Sequence, residues 1–448
     1  MFFAEWNGIK KIYFIGIGGV SMSALAKLLS TQGYEVSGSD ALRGEETENL
    51  AFYGVKTYIG VDGNRKELIE ADMVVYTDAI PKTHDELKSA FLYGKRVLSR
   101  ADLLAMISKQ YARVLSVAGS HGKTTCTSMC AHALRSVGVS FTAHIGGADS
   151  EFGNFYTSGR DFFLTEACEY KRNMVKISAD VGIVLNVDCD HMECYADEND
   201  LIDCFAQYTR QAKVAFVCAD DVRCARFENC ATFGINSVCA DYRAVDLRAK
   251  NGRYAFTVEE YGNAICRVQL RAIGRCNVYN ALAAFAAMRS FGFAEKEIKK
   301  GLENFKAVKR RFEKIGAYRG AELICDYAHH PREITSTILT AEEVCKGRLF
   351  VVFQPHTYSR TKLLFNDFIK ALQPIKELII FKTFPAREKF DEEGCAERLA
   401  TEIGCLYAEN VYVLKTWLKK TVREGDTVLF LGAGDVYYVA QYLAKEIY

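Results

Sequence analysis

Short apolar runs alternate with amphipathic stretches along most of the chain, and each run stops at glycine or a polar cluster. Lys11 to Ile15 reads as a buried strand; it enters Gly16-Ile17-Gly18-Gly19 and a helical run from Ser21 to Gln32. Tyr34 to Gly38 and Met73 to Tyr76 predict two more strands. A second series opens with Val114 to Ala118, turns at Gly119 and continues as a helix from about Lys123. Phe162 to Thr165, Val181 to Asn186 and Val214 to Cys218 predict its further strands. Gly274 to Phe291 carries Ala and Leu at helical spacing. A third series comprises Glu322 to Cys325, Leu349 to Phe353, Glu377 to Phe381 and Thr427 to Leu431, the last running into Gly432-Ala433-Gly434 and a closing helix. Strands this short and apolar, alternating with helices, imply parallel sheets covered on both faces. The expected fold is α/β, in three domains at 1–108, 109–313 and 314–448.

Length agrees: 448 residues at roughly 150 per domain is about three domains. Hydrophobic residues at 49% and charged residues at 25% exclude a disordered chain. Lys plus Arg is 57 against 56 for Asp plus Glu, a net charge of +1. No long-range field draws the chain to nucleic acid or to an anionic membrane, so neither is expected as a partner. Any anionic ligand must be held by local groups. No apolar run reaches membrane-spanning length. The first strand begins by Lys11 and leaves no room for a signal peptide, so a cytoplasmic location is expected. The sixteen cysteines form no Cys-x-x-Cys; Cys126 and Cys130, four apart, are read as buried thiols rather than zinc ligands. Oligomeric state is not readable.

Polar residues gather where the strands end: Asp40, Gly119, Glu166, Asp188, Asp326 and Gln354. Open parallel sheets bind ligands outside the carboxyl ends of their strands, so these positions point to clefts. The turn Gly16-Ile17-Gly18-Gly19-Val20-Ser21 is nearly the dinucleotide fingerprint, with Ser21 where the third glycine would stand and Asp40 placed to accept from a ribose hydroxyl. Gly119-Ser120-His121-Gly122-Lys123-Thr124-Thr125, between a strand and a helix, is a shortened phosphate loop. Its amides cradle phosphates, Lys123 neutralises them and Thr124 offers a hydroxyl to magnesium. Glu166 and His191 would complete a metal shell, although magnesium prefers oxygen and His191 reads equally well as a loop hydrogen-bonder. Glu169 reads as a solvated helix residue. Lys309-Arg310-Arg311 could reach a transferring phosphoryl group. Asp326-Tyr327-Ala328-His329-His330-Pro331 and Gln354-Pro355-His356-Thr357-Tyr358-Ser359-Arg360 end two further strands, and Arg360 could clamp a carboxylate.

Taken together, residues 119–125, Asp190-His191-Met192, 326–331 and 354–360 resemble the Mur ligases, the ATP-dependent amide-forming enzymes of peptidoglycan synthesis. Met22-Ser23 after the glycine turn and Gly38-Ser39-Asp40 resemble the same family, and the likeness covers nearly the whole chain. The resemblance implies a Rossmann-like N-terminal domain for a UDP-sugar, a central ATPase domain and a Rossmann-like C-terminal domain for an amino acid. It implies ATP-dependent joining of L-alanine to the lactyl carboxylate of UDP-N-acetylmuramate through an acyl phosphate, with Mg2+. Carried over by position, Gly16, Gly18, Gly19, Ser21, Met22, Ser39 and Asp40 would hold the UDP-substrate. The loop residues, with Asn277 at adenine, Arg311 at the γ-phosphate and Asp326 at the ribose, would hold ATP. Thr124, Glu166 and His191 would serve the metal. Tyr327, His329, His356 and Arg360 would surround L-alanine, with His329 or His356 orienting or deprotonating its ammonium. Cys276 stands where the family often has histidine and Thr357 where it often has arginine. Glu193 to Tyr208 has no lysine for the carbamylation some relatives use. Three rivals remain: a ligase that recycles murein peptide onto UDP-N-acetylmuramate, a nicotinamide-dependent dehydrogenase built on the N-terminal turn, and a non-catalytic nucleotide-binding switch, which would leave the Asp326 and Arg360 segments without a role.

Overall fold

The computed structural model describes Trp6 and residues 8–446. Its strands form three sheets. The first holds β1 (Lys11–Ile15), β2 (Glu35–Asp40), β3 (Lys56–Ile59), β4 (Met73–Tyr76) and β5 (Arg96–Ser99) in the order β3-β2-β1-β4-β5, and every pair is parallel. The order reverses beside β1, so the glycine turn leaves the sheet at its switch point, where such sheets open a crevice. Tyr13, Ile15 and Val74 point to one face and pack on Leu68, Leu87 and Ala90.

The second sheet has ten strands. Its members are β6 (Arg113–Ala118), β7 (Phe141–Asp149), β8 (Gly153–Thr157), β9 (Phe162–Glu166), β10 (Val181–Val184), β11 (Val214–Cys218), β12 (Ala231–Gly234), β13 (Tyr242–Lys250), β14 (Arg253–Glu260) and β15 (Asn263–Ile273). The order is β15-β14-β13-β12-β11-β10-β6-β9-β7-β8. The phosphate-loop strand β6 lies between β10 and β9, so residues after all three strand ends converge on the loop. The helix Lys123–Val137 that follows is buried along most of its length. The helix Glu295–Asn304 packs on it through Gly301, where a Cβ would lie 2.5 Å from the Ala133 Cα.

The third sheet comprises β16 (Glu313–Tyr318), β17 (Ala321–Asp326), β18 (Leu349–Phe353), β19 (Glu377–Phe381), β20 (Leu406–Ala408) and β21 (Thr427–Leu431), ordered β16-β17-β21-β18-β19-β20. Only β16 runs antiparallel to its neighbour. Its residues feed two cores in strict alternation. Leu323, Phe350, Val352, Val428 and Phe430 face one side; Ile324, Val351, Phe353, Leu429 and Leu431 face the other. Both faces are dry, which is why these strands read as continuous apolar runs.

The chain divides into two compact units. One is Met1–Val245 with Thr257–Val268 and Tyr279–Phe305; the other is Asp246–Phe256, Gln269–Val278 and Lys306–Tyr448. Nearly all the expected strands are present within a residue or two, and the Ala-rich helix runs Cys276–Ser290. The pattern reading passed over β3, β5, β7, β8, β12 to β16 and β20. In β14 only alternate residues, Tyr254, Phe256 and Val258, are buried, the period-two signature of a one-sided sheet. Among the described residues no helix is long and apolar enough to cross a membrane.

Candidate active site

The N-terminal turn is held from beneath. Gly16 takes a φ of 82°, a left-handed conformation that favours glycine. Its amide and that of Ile17 donate to the Ser39 carbonyl at 2.8 and 2.9 Å. Gly18 N–H donates to Asp40 Oδ2 at 2.8 Å, and Leu42 N–H donates to Oδ1 at 3.2 Å. Asp40 therefore braces the turn. Ser39 is buried, and its hydroxyl donates to the fully buried carboxylate of Glu86, which also accepts from Tyr13. Gly19 caps the helix Val20–Thr31 without a side-chain bond, leaving an amide-lined helix start of the kind that binds phosphate. Met22 is core. Ser21 turns its hydroxyl to His144 and Arg100.

The phosphate loop is clamped by the segment that follows β10. His121 N–H donates to Asn186 Oδ1, and Asn186 Nδ2 returns a bond to the His121 carbonyl, at 2.9 and 3.0 Å. Asp188 N–H donates to Ser120 Oγ at 2.7 Å, and His121 Nε2 lies 3.1 Å from Asp188 Oδ2. Gly119 and Gly122 have φ of 131° and 85°, and at Gly122 a Cβ would stand 2.7 Å from Asn280 Oδ1. Both backbone angle and space demand glycine there. Thr124 and Thr125 are buried in the first helical turn.

Lys123 Nζ donates to the carbonyls of Gly119 and Ser120 at 2.5 and 3.1 Å. It also meets both carboxylate oxygens of Glu169 at 2.9 Å. Burial is the largest influence and lowers the lysine's pKa, but Glu169, Cys168 and Glu166 together outweigh it and the net shift is upward. Lys123 is thus a fixed cation. Glu169 is 1% exposed, not the solvated helix residue that its place in the sequence implies. With Asp190 and His191 it brings ligand atoms within 4.8 Å of one another. Glu166 ends β9, and its Oε1 accepts from Gly146 N–H at 2.6 Å. His191 adopts a left-handed φ of 56° and lies against the Tyr170 ring. Asn186 and Glu169 are the two groups here that sequence reasoning missed; the signal available was that polar residues follow buried strands.

The second unit builds its own cluster. Asp326 ends β17 and accepts from Phe312 N–H at 2.7 Å and Ala328 N–H at 2.8 Å. Burial pushes its pKa up against the opposing pull of Arg311. Arg311 and Arg310 both lie over the Tyr327 ring, at 5.0 and 4.8 Å. Arg310 Nη2 also donates to the carbonyls of Gly432 and Gly434. His329 Nδ1 is 2.9 Å from the Tyr327 carbonyl and 3.3 Å from Glu333 Oε2. Glu333 approaches Arg311 as well, at 3.9 Å, and is a hub the sequence did not mark. The His329 and His356 rings are 5.9 Å apart, His356 stacks on Phe384, and Arg360 Nη1 lies 3.4 Å from His356 Nδ1. The four residues expected around an amino acid therefore form one neighbourhood. Thr357 has a φ of 67° and starts the short helix that carries Arg360. Asn277 lies in the first turn of its helix and donates to the Ile273 carbonyl at 2.8 Å.

Parallel α/β sheets, a helix-start turn beside Asp40 and a phosphate loop whose lysine pairs with a buried carboxylate define a nucleotide-using α/β enzyme of several domains. Three family descriptions match in succession: the Mur ligase catalytic domain over residues 11–112, the Mur ligase middle domain over 117–288, and the Mur ligase glutamate ligase domain over 310–434. The chain belongs to the Mur ligase family. It is 37% identical to the UDP-N-acetylmuramate--L-alanine ligase of Acetivibrio thermocellus, over 98% of this chain and 97% of that protein. It is 38% identical to the enzyme of the same name from Clostridium beijerinckii, over 97% and 98%. Among solved structures, the UDP-N-acetylmuramate-alanine ligase of Thermotoga maritima superposes with a TM-score of 0.82 at 28% identity, covering 97% of this chain and 98% of that one. A murein peptide ligase from Psychrobacter arcticus shares the fold, with a TM-score of 0.76 at 23% identity over 98% and 100%.

Proposed function

We propose that this chain is an ATP-dependent acid--amino-acid ligase that joins L-alanine to the lactyl carboxylate of UDP-N-acetylmuramate, a cytoplasmic step of peptidoglycan precursor synthesis. The observation that carries this is the half-buried Lys123 paired with the buried Glu169 in its clamped loop, within a chain 36–38% identical along nearly its whole length to ligases of that activity. A free carboxylate resists amine attack because oxide leaves poorly. Phosphorylation by ATP supplies a leaving group, and the alanine amine then displaces phosphate. The protein's contribution is position and charge.

In this reading residues 1–108 hold the UDP portion on the amides of Gly16 to Ser21. Residues 109–313 hold ATP, with Lys123 offsetting charge on the phosphates, and 314–448 bring L-alanine. Arg311 faces the γ-phosphate, Asp326 the ribose and Asn277 the adenine. Arg360 takes the alanine carboxylate, and His329 or His356 receives the ammonium proton. Glu169, Asp190 and His191, whose ligand atoms lie within 4.8 Å of one another, together with Thr124 and Glu166 would supply the mainly oxygen donors that suit Mg2+. Bound there, the ion would neutralise phosphate charge. The dehydrogenase alternative has no support: Asp40, which it would need at a ribose, is engaged by the Gly18 and Leu42 amides, and the full-length relatives are ligases.

The test is phosphate release from ATP and Mg2+ with UDP-N-acetylmuramate, with and without L-alanine, and with tripeptide in parallel. Release that requires UDP-N-acetylmuramate and L-alanine is expected. Release driven by tripeptide instead moves the assignment to the recycling ligase.

A further inference from the structure

Ser21 occupies the one position of the N-terminal turn where a glycine would complete the fingerprint, and the structure gives its hydroxyl a use. Ser21 Oγ lies 2.8 Å from His144 Nε2 and accepts from Arg100 Nη1 at 3.2 Å. His144 belongs to β7 of the central sheet and is 3% exposed. Its Nδ1 lies 3.0 Å from Thr165 Oγ1, and that hydroxyl donates to the Glu166 carbonyl. The proton inventory runs in one direction. Thr165 gives its proton to Glu166, so it accepts from His144 Nδ1–H. Nε2 is then the acceptor for the Ser21 O–H, and Ser21 accepts from Arg100. Burial, reinforced by the nearby Arg100 charge, holds the His144 pKa down at about 3, so the imidazole stays neutral and keeps this tautomer. Glu166 is gripped on its other side by Gly146 N–H, two residues beyond His144 on β7.

We propose that Ser21 and His144 are positioning residues that tie the diphosphate-binding turn to the Glu166 strand end, so that the sugar-nucleotide's carboxylate meets the γ-phosphate at a set distance. The proposal rests on the ligase reading above. It assigns the serine at this turn to alignment between two sheets rather than to ligand contact. A turn free to shift by about 1 Å would cost up to ~100-fold in rate.

The experiment compares wild type, Ser21→Ala, Ser21→Thr, His144→Leu and the Ser21→Ala/His144→Leu double variant in phosphate release at saturating L-alanine, with ATP affinity and thermal midpoint measured alongside. Ser21→Ala is expected to lower kcat at least about tenfold, with KM for UDP-N-acetylmuramate within about threefold and ATP affinity unchanged. Ser21→Thr, which keeps the hydroxyl, is expected to restore most of kcat. The double variant should be no slower than the slower single one, because both break the same link. A raised KM with normal kcat would make Ser21 a plain ligand contact and overturn the proposal, as would an unchanged Ser21→Ala enzyme. If His144→Leu does not fold, the Ala and Thr variants at the half-buried Ser21 still decide. Wild-type enzyme inactive with UDP-N-acetylmuramate and L-alanine would instead sink the ligase reading.

Discussion

Replacing Lys123 by alanine tests structure and chemistry together. The Lys123 and Glu169 side chains are 15% and 2% exposed and 2.9 Å apart. At that distance and an effective dielectric constant of about 20, the attraction is roughly 6 kcal/mol before desolvation is counted. Lys123→Ala leaves a buried carboxylate without its cation, which typically costs about 3–5 kcal/mol. The fold should survive, but the urea midpoint should drop clearly. Lys123→Ala/Glu169→Gln removes the stranded charge and should recover most of that loss. Activity should behave differently: both variants lose the cation proposed to face the phosphates, so ATP-dependent phosphate release should fall by at least ~100-fold in each. Stability recovered without activity is the expected pattern. A single variant as stable as wild type, or a double variant no better than the single, would refute the buried-pair argument. Near-normal turnover in either would remove the phosphate-loop assignment.

Arg360→Ala should raise the KM for L-alanine much more than that for ATP, and equal effects in steady-state kinetics would exclude a carboxylate clamp. Gly301→Ala should destabilise by about 1–3 kcal/mol, because its Cβ would strike the Ala133 Cα and the His132 carbonyl at 2.5 and 2.6 Å. Alanine at a helix-interior glycine ordinarily stabilises by roughly 0.5–1 kcal/mol, so a thermal midpoint at or above wild type would contradict the close packing. Asp426 is buried and accepts from Arg348 Nη2 and from Arg423 N–H, both at 2.8 Å. Burial opposes its ionisation, but these donors prevail and its pKa is lowered. Its contribution is therefore present above the unfolded pKa near 3.8 and is lost as pH falls through the lower folded value. Asp426→Asn should cost about 1–2 kcal/mol at pH 7, a figure held down by solvent around Arg348, and the gap should begin to narrow below about pH 4. Urea midpoints from pH 3 to 7 check this, and a gap independent of pH would refute it.

Much of the fold was legible in sequence because the parallel strands are buried on both faces. Lys11–Ile15, Met73–Tyr76, Val214–Cys218, Leu349–Phe353 and Thr427–Leu431 stand where the apolar runs place them. The phosphate loop was legible for a similar reason: Gly-Lys-Thr at a strand-to-helix turn is local chemistry, complete within seven residues. The half-buried strands β13 to β15 were passed over because their signal is alternation, not a run. Glu169 was misread because nothing adjacent in sequence reveals that its carboxylate turns inward to Lys123, 46 residues earlier.

The sequence by itself determined the α/β class, the strand-end placement of the polar motifs and the Gly-Lys-Thr loop between a strand and a helix, since each follows from a local pattern of burial or backbone freedom. Only the tertiary structure decided what the side chains of those motifs face. Asp40 braces its own turn, Ser39 serves the buried Glu86, Lys123 is paired with Glu169, and Ser21 reaches His144, 123 residues away. Hydrogen bonds and ion pairs act over about 3 Å, and proximity on that scale between distant residues is set by how strands order and pack, which no local pattern encodes.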